Sequence, residues 1–192
     1  TDNEAVNKAY RLAVADLQTN ILPFKDGILE KETPVIIAGL GYCTPWTRDS
    51  AINTWNAGGI ICPEISLNTL KSVLGRNEKG YFIDGEYWDR IIWTVGAWRQ
   101  YLYTGDKDFL KIAYEAVINS LDFFEETEFD QELNLFRGPA CYGDGVAVYP
   151  DIYAKHMKSG IISFAEECRE LCVNRGVGIP MYTLSTNCLY YY

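Results

Sequence analysis

A chain of 192 residues is long enough for one ordinary domain with a sizeable core. Its net charge of −9, from 17 Lys and Arg against 26 Asp and Glu, argues against nucleic acid or an anionic membrane surface as partner. With 48% hydrophobic and 22% charged residues the composition is that of a globular domain, and no stretch is apolar enough to span a bilayer.

The elements are expected as follows. Thr1-Asp-Asn-Glu4 reads as a capping box leading into a helix that buries Val6, Ala9, Tyr10, Ala13 and Leu17. Pro23 and the Lys25-Asp-Gly27 turn break that pattern. Val35 to Ala38 reads as a short strand or buried loop running into the Gly39–Trp46 loop, with a short helix beginning near Asp49. Ser66 is the expected cap of another helix, with Leu67, Leu70 and Leu74 inward and Gly75 as its stop. From Glu86 to Glu126 two apolar stripes recur at helical spacing. The first is Trp88, Ile91, Ile92, Val95, Trp98 and Leu102; the second is Phe109, Ile112, Ala113, Ala116, Val117, Leu121 and Phe124. Thr104-Gly-Asp106 between them supplies a stop and a start, which predicts an αα-hairpin. Residues 128–157 lose this periodicity and fill with Gly, Pro, Asp and Tyr, as long functional loops do. Helix is expected again from Gly160 to Arg175 and from Thr183–Ser185 onward. The expected fold class is all-α, built from helix hairpins with the chemistry on the loops.

Fourteen Tyr and five Trp bring aromatic content to 14%. Aromatic rings stack on the C–H faces of sugars, although most of these rings are expected to fill the core. The six Cys (43, 62, 141, 168, 172 and 188) and the single His156 lack ligand spacing, so neither a metal nor a cofactor is expected. Their spacing is too irregular for a disulfide framework, which leaves the compartment open. Secretion or the periplasm is favoured if a leader has been removed. A first residue other than Met and a Leu-Tyr-Tyr-Tyr end suggest that 1–192 is a single domain cut within a helix.

Three segments carry candidate chemistry. In Gly41-Tyr-Cys-Thr-Pro-Trp-Thr-Arg-Asp-Ser-Ala51, a guanidinium and a carboxylate on adjacent residues follow a rigid Pro-Trp. Such a pair can bind vicinal hydroxyls, Arg48 donating and Asp49 accepting, beside the stacking indole of Trp46. The ordinary use of Asp49 and Ser50 would be helix capping. Trp46-Thr-Arg-Asp-Ser-Ala51 resembles the W-T-R-D-S-A segment of the glucoamylase family of six-hairpin glycosidases. That resemblance implies that Arg48 and Asp49 bind the sugar at the cleavage subsite and that Trp46 walls it.

Tyr87-Trp-Asp-Arg-Ile-Ile-Trp93 with Tyr101-Leu-Tyr-Thr-Gly-Asp106 is similar to a helix hairpin of debranching-type glucosidases, which implies that Asp89 points into the sugar pocket. A first-turn acid favoured by the helix dipole is an equal reading of Asp89, and Trp88 and Trp93 are expected in the core. The third segment, Leu135-Phe-Arg-Gly-Pro-Ala-Cys-Tyr-Gly-Asp144-Gly, lies where these families carry the general acid. Asp144 is the candidate acid and Tyr142 a substrate contact, with Asp151, Glu128 and Glu86 as rivals for the acid. The Trp-Glu-Glu motif of glucoamylases is absent here. Tyr182-Thr-Leu-Ser-Thr-Asn-Cys-Leu-Tyr190 resembles a barrel-helix opening in related sequences, where Thr186 and Asn187 are read as caps rather than substrate contacts.

The resemblance implies an (α/α)6 toroid, about half of it present, in an inverting glycoside hydrolase acting on an α-glucoside or related oligosaccharide. Inversion needs an acid and a base roughly 6.5–9.5 Å apart, and the base is expected beyond Tyr192. Mannosides, rhamnosides or a disaccharide phosphorylase are the neighbouring enzymatic readings. A non-catalytic carbohydrate-binding module is the alternative from another class. A terpene-cyclase toroid is disfavoured because no D-D-x-x-D cluster occurs. An open flank on a partial barrel would promote self-association.

Overall fold

The computed structural model describes residues 1–85, 90–138, 140–141 and 182–192. Helix α1 (Glu4–Thr19) leads into a hairpin of β1 (Ile21–Phe24) and β2 (Thr33–Ile36). A helical rod follows, made of α2 (Thr47–Asn53), a π-helical turn (Thr54–Gly58) and α3 (Gly59–Ile61). Then come α4 (Pro63–Lys71), a second hairpin of β3 (Leu74–Asn77) and β4 (Gly80–Ile83), and the pair α5 (Trp93–Thr104) and α6 (Lys107–Thr127). A third hairpin, β5 (Phe129–Asp130) with β6 (Leu135–Phe136), precedes α7 (Leu184–Tyr190).

The fold is therefore mixed, and the expectation of an all-α toroid of helix hairpins is overturned by three two-stranded antiparallel sheets. The first two hairpins each have a local turn. The Asp26-Gly27 turn, with the Asp26 carboxylate accepting from the Gly27 amide at 2.8 Å, folds β1 back toward β2, where Pro23 faces Pro34. In a two-stranded ribbon both strands are edges, so the missing N–H groups cost little. Asn77 accepts from the Lys79 amide at 2.8 Å and turns β3 into β4. Gly75, expected to stop a helix, lies instead in β3 under the Phe82 ring, where a Cβ would come within 2.2 Å of that ring. Helix α4 begins earlier than Ser66, with Pro63 in its first turn, as the fixed proline φ favours.

The αα-hairpin forms as expected. Gly105 closes α5 in the left-handed region (φ 67°), and Asp106 caps α6 by accepting from the amides of Asp108 and Phe109. The main core joins Leu70, Val73, Leu74, Ile83, Trp93, Ala97, Phe109, Ala113 and Ala116. Trp93 is fully buried and donates from its indole nitrogen to the Leu70 carbonyl at 3.1 Å, so it is core. Trp98 and Leu102, expected inward, face solvent, because α5 buries its Trp93, Ala97 and Gln100 side. Helix α6 also serves β4. Ser120 accepts from the Ile83 amide, Glu115 from the Tyr81 amide, and Asn119 donates to the Tyr81 carbonyl. These bonds satisfy the outer edge of a strand that has no further strand beside it.

Helix α1 forms but buries nothing. Asn3, rather than Thr1, is its cap, accepting from the amides of Ala5 and Val6. Val6 and Tyr10, expected inward, are exposed. The helix expected from Gly160 to Arg175, and with it Cys168 and Cys172, lies outside the described residues. No described helix is long and apolar enough to cross a membrane.

Candidate functional site

The start of α2 is fastened to the scaffold at two points and closed on itself at a third. Thr47 is buried and donates to the Asp84 carbonyl at 2.7 Å, tying α2 to the end of β4. Ser50, also buried, donates from its hydroxyl to the Trp46 carbonyl at 2.8 Å. Ala51 packs so closely on Gly96 of α5 that a Cβ on the glycine would lie 2.6 Å from the Ala51 Cα. Only glycine at 96 allows the two backbones to approach in this way.

With Thr47, Ser50 and Ala51 turned inward, Trp46, Arg48 and Asp49 are left on the outer side of the turn. Trp46 is 42% exposed, and Arg48 and Asp49 are half-buried. Trp46 occupies the cap position without a side-chain cap bond, and Ser50 lies inside the helix, so the capping reading of Ser50 does not hold. In the loop before it, Ala38 donates to the Thr44 carbonyl and Tyr42 to the Gly39 carbonyl, with Cys43 in the left-handed region (φ 52°). This tight loop sets exposed Tyr42 edge-on to Trp46, ring centroids 6.3 Å apart at 89°. The two rings stand together at the entrance to α2, just before Arg48 and Asp49 in the chain. Tyr42, beside Gly41 and four residues before Trp46, is the aromatic neighbour of Trp46 that the motif alone does not single out.

Arg48 connects this turn to the third segment. Its Nη1 donates to the Cys141 carbonyl at 3.3 Å, and the Cys141 amide in turn donates to Thr186 Oγ1 at 3.2 Å. The first and third of the segments singled out in the sequence thus meet the 182–190 segment at Cys141. Thr186 and Asn187 are both buried. Neither acts as a cap. Asn187 accepts from the Phe136 amide at 2.8 Å and donates to the Phe136 carbonyl at 3.0 Å, holding β6 as a paired strand would. Thr183 donates to the Gly138 carbonyl at 3.0 Å and extends the same seam.

Two further polar groups fix the hairpin below the seam. Tyr182 donates to Asp130 at 2.5 Å, and Arg137 stands 3.9 Å from the same carboxylate. The Tyr182 bond, followed by the Leu133 amide, holds the Asp130 carboxyl below the usual carboxylate range. The same bond pushes the Tyr182 phenol up. Glu128, a rival for the acid, is only 1% exposed at the end of α6. Burial, then the nearby Glu128 charge, raises the Tyr190 phenol, with Arg90 acting in the opposite sense.

Asp89, Tyr142 and Asp144, together with the rivals Glu86 and Asp151, lie outside the described residues. Among the described residues no group of three His, Cys, Asp or Glu could hold a metal ion. No family model matches the chain, and no curated protein or solved structure matches it.

Proposed function

We propose that the chain belongs to a glycoside hydrolase that cleaves an α-glucoside or related oligosaccharide with inversion, and that Trp46, Arg48 and Asp49 bind the sugar. The observation that supports this reading most is the anchored turn at the start of α2. Binding groups are most useful on rigid elements whose neighbours hold their geometry, and Thr47, Ser50 and Ala51 do so here. A planar guanidinium beside a carboxylate offers donors and acceptors to neighbouring hydroxyls, while Trp46 and Tyr42 offer apolar faces to the ring. The resemblance of Trp46–Ala51 to the glucoamylase segment supplies the substrate class.

Asp144 is the proposed general acid, protonating the leaving oxygen, and Asp89 and Tyr142 are proposed substrate contacts. The base would activate water on the opposite face of the sugar. Hydrolysis of a panel of aryl and disaccharide α-glycosides tests the proposal. Asp144→Asn is expected to lower kcat by about 10²–10⁴-fold, the range for loss of a general acid. Asp49→Asn is expected to raise KM on the same substrate. Activity that survives Asp144→Asn would move the acid to Asp151 or another carboxyl. Saturable sugar binding without turnover, weakened by Asp49→Asn, would make the protein a carbohydrate-binding module.

A further inference from the structure

A concavity lies between the π-helical segment after α2, helix α5 and helix α7. Its volume is about 250 Å³, and its walls include Trp55, Val95, Arg99, Ser185, Leu189 and Tyr192. The walls are mostly apolar, which makes Arg99 the anomaly. The residue is half-buried, and its guanidinium carbon lies 5.9 Å from the centroid of the Trp55 ring. Among the described residues no carboxylate pairs with it, in a chain with 26 acidic residues and a net charge of −9. Its Nε is buried without a hydrogen-bond partner, and so is the hydroxyl of Ser185, another residue of the lining.

Partly desolvated cations and buried donors are normally paired, because leaving them unpaired costs free energy that packing does not return. Trp55 holds the guanidinium by its ring face and leaves the charge itself uncompensated. We propose that this cavity binds a small monocarboxylate with an apolar body, the carboxylate on Arg99 with help from Ser185, and the body against Trp55, Val95 and Leu189. The volume sits below the range of about 300–1,000 Å³ typical of drug-sized ligands, so one ring with a short acidic arm is the scale of occupant. A guanidinium is the side chain best suited to grip a carboxylate by two parallel bonds. Arg99 and Trp55 have no part in the proposed sugar site, so the two readings stand or fall separately.

Titration calorimetry of the whole chain with phenylacetate, and with 2-phenylethanol as its neutral counterpart, tests the site. Phenylacetate should bind saturably at one site per chain, at least tenfold more tightly than 2-phenylethanol. Arg99→Gln should weaken phenylacetate at least tenfold while leaving 2-phenylethanol unchanged, the latter showing that the cavity is intact. If Arg99→Gln does not fold, the comparison of the two ligands on the unaltered chain decides, with Arg99→Lys as the milder variant. No saturable binding of phenylacetate, equal affinity for the two ligands, or binding indifferent to Arg99 would each overturn the proposal.

Discussion

Four described cysteines carry thiols rather than disulfides, and their surroundings rank them. Cys43 and Cys188 are exposed, Cys62 is half-buried, and Cys141 is fully buried where its backbone links Arg48 to Thr186. Burial pushes the Cys62 thiol up, with a smaller opposing effect from Ser66. The thiolate is the reactive form, so a raised thiol carries less of it near neutral pH and reacts more slowly. Iodoacetamide at pH 7.5 should therefore modify Cys43 and Cys188 first and Cys62 later, with Cys141 reached only when the seam opens. Peptide mass spectrometry over a time course checks this order. Early labelling of Cys141 would mean that the Arg48–Cys141–Thr186 junction is open in solution, and Arg48 would lose the carbonyl that holds it. Labelling of Cys62 as fast as Cys43 would contradict its burial between α3 and α4.

At the scale of elements, the β5–β6 hairpin is too short to hold itself, and its clasp titrates at both ends of the pH range. Asp130 is held low by Tyr182, so its contribution to stability is present above the unfolded carboxylate value of about 3.9 and is lost as pH falls through the folded value. Tyr182 is held high by Asp130, so its contribution is present below about pH 10 and is lost as pH rises through the folded value. Thermal melts should show a plateau between these limits and a fall on either side, and Tyr182→Phe should flatten both flanks. A variant with the unaltered pH profile would remove the clasp from the account.

This hairpin was not legible in the sequence, whereas the α5–α6 turn was. The reason is range. Gly105 and Asp106 act on their own neighbours, so their residue types suffice to announce the turn. The strands of the three hairpins are two to four residues long and carry Pro23, Pro34, Gly75 and Gly80, leaving no alternation to read. Their pairing depends on partners supplied from afar, such as Ser120 to Ile83, or Asn187 to Phe136 across 51 positions. The same holds for the site. Trp46, Arg48 and Asp49 stood out as a motif, but the bond from Arg48 to Cys141 spans 93 positions and no local pattern encodes it. Ser66 was misread for a simpler reason. A serine before an apolar run looks like a cap, but Pro63 had already begun the helix.

On the whole molecule, periodicity told which residues of α1 share a face and not whether anything covers it. Val6, Ala9, Tyr10, Ala13 and Leu17 fall on one side of that helix, yet α1 has no buried residue, and Val6 and Tyr10 are 50% and 64% exposed. A helix of 16 residues is marginal alone and normally draws its stability from packing such a stripe. A second copy is a suitable cover. Antiparallel pairing about a two-fold axis sets Val6 opposite Leu17 and Tyr10 opposite Ala13, large against smaller side chains at each end, and uses the same surface on both copies. The chain should therefore self-associate with rising concentration, and sizing with light scattering should show mass moving from one chain toward two. Val6→Glu with Tyr10→Glu should return it to a monomer while leaving the circular dichroism of the remaining helices unchanged, because neither residue supports the core. A sharp monomer peak for the unaltered chain at every concentration would mean that α1 stands uncovered in solution; its amides should then exchange with solvent far faster than those of α5 and α6.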